Sequence, residues 1–223
     1  MGQIGKANEF TRKALEIANR RKLTAAIAGY QLGTLVRDAN LGNCDGLRRT
    51  PAPEKEIAAG YNPTGLGVAF GLCGEIAKAE ATANAMYKDC PADTLQNAVG
   101  IPMIRAAVAI SRKQPAQAIE ILRAAIPYER ANLQVHYVRG LAYLANGAGA
   151  EAAAEFQNIL DHPGQSKFGT GYGFAYLGLA RSAVLTGDKV KAKKAYQDLF
   201  ALWKDADAGI PVLEEAKREY EKL

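Results

Sequence analysis

The residues of this chain that could do chemistry are few: three cysteines, Cys44, Cys73 and Cys90, and two histidines, His136 and His162. A metal site needs clustered ligands, but the cysteines lack CxxC spacing and no cysteine or histidine lies three or four residues from either histidine. An odd number of cysteines at such spacings also argues against a disulfide framework. We therefore expect unbridged cysteines that are buried or lie at helix ends, no metal and no cofactor.

Nucleophilic catalysis would need a serine or cysteine with a base beside it. No G-x-S-x-G sequence occurs, and Cys73 has no histidine near it along the chain. The glycines of residues 65–71 resemble those of a phosphate-binding loop, but the segment lacks a Lys-Ser/Thr pair, so close helix packing explains them better. The chain is predicted not to be an enzyme. A hydrolase that uses Cys73 or His136 stays as the enzymatic alternative.

The bulk composition is that of an ordinary globular protein. The 223 residues are 48% hydrophobic and 23% charged, and 28 basic residues are interleaved with 23 acidic ones to give a net charge of +5. No stretch approaches the roughly 18 apolar residues of a membrane span, and residues 1–6 lack the apolar run of a signal peptide. We expect a cytoplasmic protein, or a periplasmic one if a membrane anchor precedes this segment in a longer protein.

The elements that must position any site are helices, because apolar residues recur at intervals of three and four rather than two. One pattern, with offsets of 0, 3, 12, 16 and 19, occurs four times along the chain. Its members are Gly67, Phe70, Ala79, Ala83 and Met86, then Ala106, Ala109, Ala118, Leu122 and Ala125, then Gly140, Tyr143, Ala152, Phe156 and Ile159, and finally Ala180, Ala183, Ala192, Tyr196 and Leu199. Small residues at fixed positions allow two helices to approach closely.

These offsets resemble the tetratricopeptide repeat, which places small residues in both helices of a pair. The spacings between Ala79, Ala118, Ala152 and Ala192 are 39, 34 and 40 residues, so longer loops, such as 161–166, are expected between some repeats. The resemblance implies an all-α fold, a right-handed α-solenoid of stacked antiparallel helix pairs. The repeats would span about 61–91, 100–127, 134–163 and 173–204.

Short segments, namely 93–95, 124–129, 137–144 and 202–207, are similar to the helical-repeat regions that follow bacterial serine/threonine kinase or winged-helix regulator domains. That resemblance implies a kinase-associated sensory or docking module in signalling. No kinase Gly-rich loop with its lysine and no HRD-type segment occurs, so kinase activity is not implied.

The two ends are less regular than the middle. Residues 1–60 are predicted to form a divergent repeat with helices over 6–21 and 23–41, after which Pro51 and Pro53 make any further helix short, late or bent. Residues 209–223 are predicted to form a capping helix that begins near Pro211. Its apolar face, with Leu213, Ala216 and Tyr220, would cover the last repeat.

In a solenoid the first helix of each pair lines the concave face, where ligands usually bind. The register predicts the following lining: Tyr61, Thr64, Val68, Leu72, Met103, Ala107, Ile110, Tyr137, Leu141, Leu144, Phe174, Leu177, Arg181 and Val184. This apolar and aromatic set with one central cation suits a peptide or partner helix. Each of these residues could instead pack against neighbouring helices, which is the commoner role of an apolar residue.

We therefore predict a protein-binding scaffold or docking module, with self-association as a further option. A basic nucleic-acid-binding repeat is the rival, because cations cluster at residues 12–13, 20–22, 48–49 and 189–194. Single-strand recognition needs aromatic residues among those cations, and here the aromatics fall on predicted packing positions. Nucleic acid is therefore the disfavoured partner.

Overall fold

The computed structural model describes residues 1–58, 60–166 and 170–223, which form fourteen α-helices and no β-strand. The predicted all-α class is confirmed. The helices are α1 Ile4–Arg20, α2 Thr24–Asn40, α3 Asp45–Arg49, α4 Glu54–Ala58, α5 Thr64–Leu72, α6 Ile76–Asp89, α7 Ile101–Ser111, α8 Pro115–Ile121, α9 Gln134–Ala145, α10 Gly149–Asp161, α11 Pro163–Ser166, α12 Thr170–Leu185, α13 Lys189–Leu202 and α14 Pro211–Tyr220. A π-helical turn, Gln96–Gly100, leads into α7, and a 3-10 segment, Leu122–Ala131, extends α8.

Four helical hairpins form the regular part of the fold: α5–α6, α7–α8, α9–α10 and α12–α13. The helices of each hairpin pack on each other, the second helix packs on the first helix of the next hairpin, and α5, α7, α9 and α12 pack in sequence. Gly74, Gly147 and Gly187 make three of the turns with positive φ angles, which glycine adopts without strain, and Lys113 makes the fourth at φ 61°. The α13 helix begins after Asp188, whose side chain accepts a hydrogen bond from the Lys191 amide at 3.0 Å.

Small residues hold the hairpins close together. Ala79, Ala118, Ala152 and Ala192 are fully buried. At Gly140 a Cβ atom would lie 2.7 Å from the Phe156 ring, so this position of α9 accepts no side chain. Phe156 of α10 therefore fills the space that the glycine leaves, as ridge-into-groove packing requires.

The glycines of residues 65–71, which the sequence predicts to serve helix packing, also lie where helices touch. A Cβ at Gly67 would lie 2.5 Å from Ile104, and one at Gly71 would lie 2.8 Å from the Ala107 Cβ, so α5 and α7 touch through these two positions. The segment lies inside α5 in the core, and its glycines serve helix contact.

The N-terminal region follows the predicted helices and departs from one prediction. Around Pro51 and Pro53 the chain forms only the short helices α3 and α4. A disulfide joins Cys44, just before α3, to Cys73 at the end of α5, with 5.9 Å between their Cα atoms. The expectation of unbridged thiols is thus wrong for this pair, because α2 packs on both α3 and α5 and so brings together cysteines that are distant in sequence. Cys90 is free and exposed.

The first helix also meets the segment that precedes α14. The Asp207 amide donates to the Gly2 carbonyl at 3.0 Å, and the Asp207 carboxylate accepts from the Gly5 amide at 2.7 Å. A second backbone–backbone bond runs from the Val212 amide to the Leu41 carbonyl at 3.2 Å. Among the helices of the described ranges, none combines the length and apolarity needed to cross a membrane.

Candidate functional site

A groove of about 760 Å³ crosses the C-terminal ends of α5, α7, α9 and α12, and α13 and α14 supply its remaining wall. We call it the arginine groove, after Arg181. Its lining comprises Leu72, Ile110, Leu141, Leu144, Ala145, Arg181, Val184, Leu185, Tyr196, Glu219, Lys222 and Leu223. Most of these side chains are apolar, and a cavity of this size with few polar groups is typical of a binding site.

Helix periodicity produces the apolar wall. Leu141, Leu144 and Ala145 on α9 are spaced by three and four residues, as are Arg181, Val184 and Leu185 on α12, so each trio shares one helix face. Val184 and Leu185 are exposed apolar side chains at this wall. The groove therefore presents apolar surface to solvent that no other part of the described chain covers.

The structure divides the fourteen predicted lining residues into three groups. Six of them line the arginine groove: Leu72, Ile110, Leu141, Leu144, Arg181 and Val184. Five are buried core residues and present no surface to a ligand: Val68, Met103, Ala107, Phe174 and Leu177. The other three, Tyr61, Thr64 and Tyr137, are half-buried outside the groove.

Whether a predicted residue reaches the groove depends on its position along its helix. The earlier turns of these helices lie between neighbouring helices, and only the last turns open onto the groove. Tyr137 illustrates the buried part, since its ring centroid lies 6.2 Å from that of Phe156 and 6.1 Å from that of Phe174. Burial raises the pKa of Tyr137 to about 12.

Sequence reasoning missed the other half of the lining. Ala145 and Leu185 continue the predicted faces by one position and could have been found from the helical period. Tyr196 is a position of the repeat pattern, which predicted only a packing role for it. Glu219, Lys222 and Leu223 reach the groove through the packing of α14, for which the repeat pattern carries no signal.

Arg181 forms the polar centre of the groove together with two carboxylates of α14. Its Nη2 atom lies 2.8 Å from Glu219 Oε1 and 3.2 Å from Glu215 Oε1, and the Tyr196 hydroxyl donates to Glu219 Oε2 at 2.6 Å. Burial alone would raise the pKa of Glu219, but the hydrogen bonds from Arg181 and Tyr196 outweigh burial and lower it. Burial and the hydrogen bond to Glu219 raise the pKa of Tyr196. The cation that the sequence placed in the groove is therefore already paired.

A second arginine centre joins the two helices of the third hairpin to the 3-10 segment that precedes it. Arg139 Nε donates to Glu155 Oε1 at 2.7 Å, its Nη2 donates to Glu129 Oε2 at 2.7 Å, and His136 Nδ1 lies 2.7 Å from Glu155 Oε2. Burial alone would raise the pKa of Glu155, but hydrogen bonds from His136 and Arg139 outweigh burial and lower it. His136 thus joins α9 to α10 and does not face the arginine groove.

The residues of the enzymatic alternative are engaged elsewhere. Cys73 has no thiol to attack with because its sulfur is bonded to Cys44, and His136 is buried against Glu155. His162 lies 2.8 Å from the Asn158 carbonyl through Nδ1, one turn away on α10. Within residues 1–58, 60–166 and 170–223, no three His, Cys, Asp or Glu side chains group as metal ligands would.

The chain matches no known protein family, no curated protein and no solved structure. The tetratricopeptide-repeat resemblance rests on the residue pattern alone and stays a prediction. The function must therefore be argued from the two features described above, the arginine groove and its pairing with α14.

Proposed function

We propose that this chain is a protein-binding module that takes an apolar peptide or an amphipathic helix of a partner in the arginine groove. The proposal keeps the tetratricopeptide-type α-solenoid as its architecture and a scaffold or docking role as its purpose. The single observation that carries it is a solvent-open apolar wall, built from the last turns of four successive first helices, around one arginine. Apolar anchors around a central arginine are typical of sites that bind partner segments.

The α14 helix supplies an internal example of the ligand. It is amphipathic: Leu213 and Ala216 are buried against the last hairpin, while Glu215 and Glu219, four residues apart, reach Arg181. A helix with carboxylates at i and i+4 therefore fits the guanidinium, whose several donors suit such acceptors. We infer that a partner helix or peptide would combine apolar anchors with at least one carboxylate.

Charge pairing disfavours the nucleic-acid alternative. Several of the clustered cations have a local carboxylate: Arg12 pairs with Glu16, Arg48 with Asp45, and Lys194 with Asp198. A phosphate backbone would have to compete with these carboxylates for each cation. The apolar wall of the arginine groove offers no such competition to the apolar anchors of a peptide.

The disulfide bears on the compartment. Bonds such as Cys44–Cys73 persist in oxidising surroundings and are rare in the cytosol, where thiols are kept reduced. We therefore favour the periplasm or another oxidising compartment over the cytoplasm. Thiol titration of denatured, unreduced protein from that compartment should find one reactive cysteine, Cys90, and a count of three would reverse this choice.

Peptide selection tests the proposed function directly. Displayed peptides of about 15 residues would be selected on the wild-type protein, and the affinity of the best ones measured by fluorescence anisotropy. Leu185→Asp places a charge on the exposed apolar wall without disturbing the core. We expect it to weaken binding by at least about tenfold, as loss of an apolar anchor does.

Leu95→Asp is the matched control. Leu95 is 55% exposed and lies outside the groove, whereas Leu185 is 50% exposed and lines it, so the two changes alter similar amounts of apolar surface. The control should bind as the wild type does. Equal affinities for Leu185→Asp and the wild type, or no selectable peptide at all, would count against the proposal.

A further inference from the structure

A second groove lies outside the arginine groove, where α12 forms the floor and α10 and α13 form the walls. We call it the α12 groove. Its volume is about 900 Å³, and its lining includes Ala153 and Leu160 of α10, Tyr176 and Leu179 of α12, and Val190 of α13. None of the fourteen residues predicted to line a peptide groove lies in it.

The floor of this groove has the spacing of a coiled-coil seam. Tyr172, Tyr176, Leu179, Ala183 and Thr186 follow one another at steps of four, three, four and three. On α10, Ala150, Ala153, Gln157 and Leu160 follow at steps of three, four and three. Such intervals keep one face of a helix directed at a neighbouring helix. Two adjacent helices therefore present seams to a space that no helix of the described chain fills, and an additional helix would fit there.

The α1 helix carries a matching apolar surface with basic flanks. Phe10 is 65% exposed and Ile17 is 47% exposed, and they lie seven residues apart, so they form one apolar stripe. Lys6, Lys13 and Arg20 are exposed beside the stripe, each three or four residues from one of its members. Lys13 pairs with Glu9 at 2.6 Å, whereas no ion pair within the described ranges engages Lys6 or Arg20. The opposite side of α1 packs on α2. Exposed aromatic and branched side chains in one stripe are unusual for a solvated helix face and are typical of a contact surface.

The α10 wall of the groove carries the complementary charge. Glu151 and Asp161 are exposed and follow the groove residues Ala150 and Leu160 directly in sequence, and α10 contains no lysine or arginine. On the α13 wall, the two lysines that line the groove each form an ion pair with an aspartate that also lines it. Basic flanks on α1 and acidic residues on α10 would favour their association.

We propose that α1 of one copy of this chain docks in the α12 groove of a second copy. Phe10 and Ile17 would lie against Tyr176 and Leu179, and the basic flank would face α10. Because the two contacting surfaces differ, the contact is heterologous, and repetition of it produces a ring or an open chain of copies. This self-association is independent of peptide binding in the arginine groove.

Sedimentation equilibrium of purified protein between about 1 μM and about 500 μM tests the proposal. The stripe variant combines Phe10→Glu with Ile17→Glu, and the groove variant combines Ala150→Arg with Val190→Arg. All four positions are exposed, so the fold should survive, and circular dichroism would verify it. We expect the wild type to form dimers and larger species as concentration rises, with association weakened at least about tenfold in either variant.

A mixture of the two variants gives the sharpest result. Each variant keeps one intact surface, so together they should form a one-to-one dimer that cannot grow. Leu23→Glu with Tyr30→Glu is the matched control, since both side chains, at the start of α2 and within it, are exposed, apolar and seven residues apart, and it should associate like the wild type. A monomeric wild type across the range, variants that still associate, or a mixture that stays monomeric would each overturn the proposal.

Discussion

Arg139 and Arg181 occupy nearly equivalent places in successive hairpins and behave differently. Each lies on a first helix and binds two glutamates, Arg139 with Glu129 and Glu155, and Arg181 with Glu215 and Glu219. The side chain of Arg139 is 9% exposed, whereas that of Arg181 is 31% exposed and lines the groove. One arginine is sealed inside its hairpin, and the other can be reached from solvent.

The difference arises from register. Arg139 precedes the small residue of its repeat, Gly140, whereas Arg181 follows the equivalent Ala180. A shift of two residues turns a side chain by about 200° around the helix axis. One position therefore faces α10 inside the hairpin, and the other faces the groove. The same residue type serves structure in one hairpin and is available for recognition in the next.

Replacement of each arginine by methionine should separate these roles most strongly. Arg139→Met leaves Glu155 buried without its main partner, so we expect a loss of about 3–5 kcal/mol in the free energy of unfolding. Arg181→Met should cost no more than about 1–2 kcal/mol because Glu219 can turn toward water. Urea denaturation measures both values. Similar losses of unfolding free energy in the two variants would contradict the distinction between a buried centre at Arg139 and an exposed one at Arg181.

Acid should reduce the stabilisation that both arginine centres provide, and the reduction should be larger for the buried centre of Arg139 than for the exposed centre of Arg181. The pKa of Glu155 is lower in the folded chain than its ordinary value of about 4.5, so its stabilising effect is complete above that pH and is lost as the pH falls through the folded pKa. Glu219 has the same sign. The stability gap between wild type and Glu155→Gln should therefore be largest near neutral pH and shrink below about pH 4.5.

Urea unfolding at a series of pH values would follow this change, with Glu219→Gln as the comparison at the open centre. We expect a smaller gap for Glu219→Gln at every pH, because water can replace part of what the arginine provides. A gap for Glu155→Gln that does not vary with pH would show that its carboxylate contributes no ionised-state stability.

The smallest effect concerns the tyrosine at the open centre. Tyr196→Phe removes only the hydroxyl that donates to Glu219 at 2.6 Å, and we expect a loss of about 1 kcal/mol. Tyr137→Phe is the control, because its ring packs between Phe156 and Phe174 and remains after the change. Thermal unfolding of the two variants gives the comparison, and a larger loss for Tyr137→Phe would contradict the assigned role of the Tyr196 hydroxyl.

The regular hairpins were within reach of sequence reasoning, because the buried Ala79, Ala118, Ala152 and Ala192 repeat at readable offsets. The groove was reached in part: Leu141, Leu144 and Arg181 follow from helical period, but which turns of each first helix open onto the groove depends on how the hairpins pack. The Cys44–Cys73 bond and the approach of α14 to Arg181 depend on tertiary packing between distant segments. A local sequence pattern carries no information about contacts between distant segments.

The backbone hydrogen bonds between Gly2 and Asp207 and between Leu41 and Val212 affect how the chain unfolds. A row of hairpins in contact only with their neighbours can fray from either end, one hairpin at a time. Here the unfolding of α1 also breaks the bond to Asp207 in the segment that precedes α14, so the two ends of the row must unfold together. Amide protons of residues 4–7, 207–210 and 212 should then exchange with solvent in one shared step, which ties the start of α1 to the edge of the arginine groove.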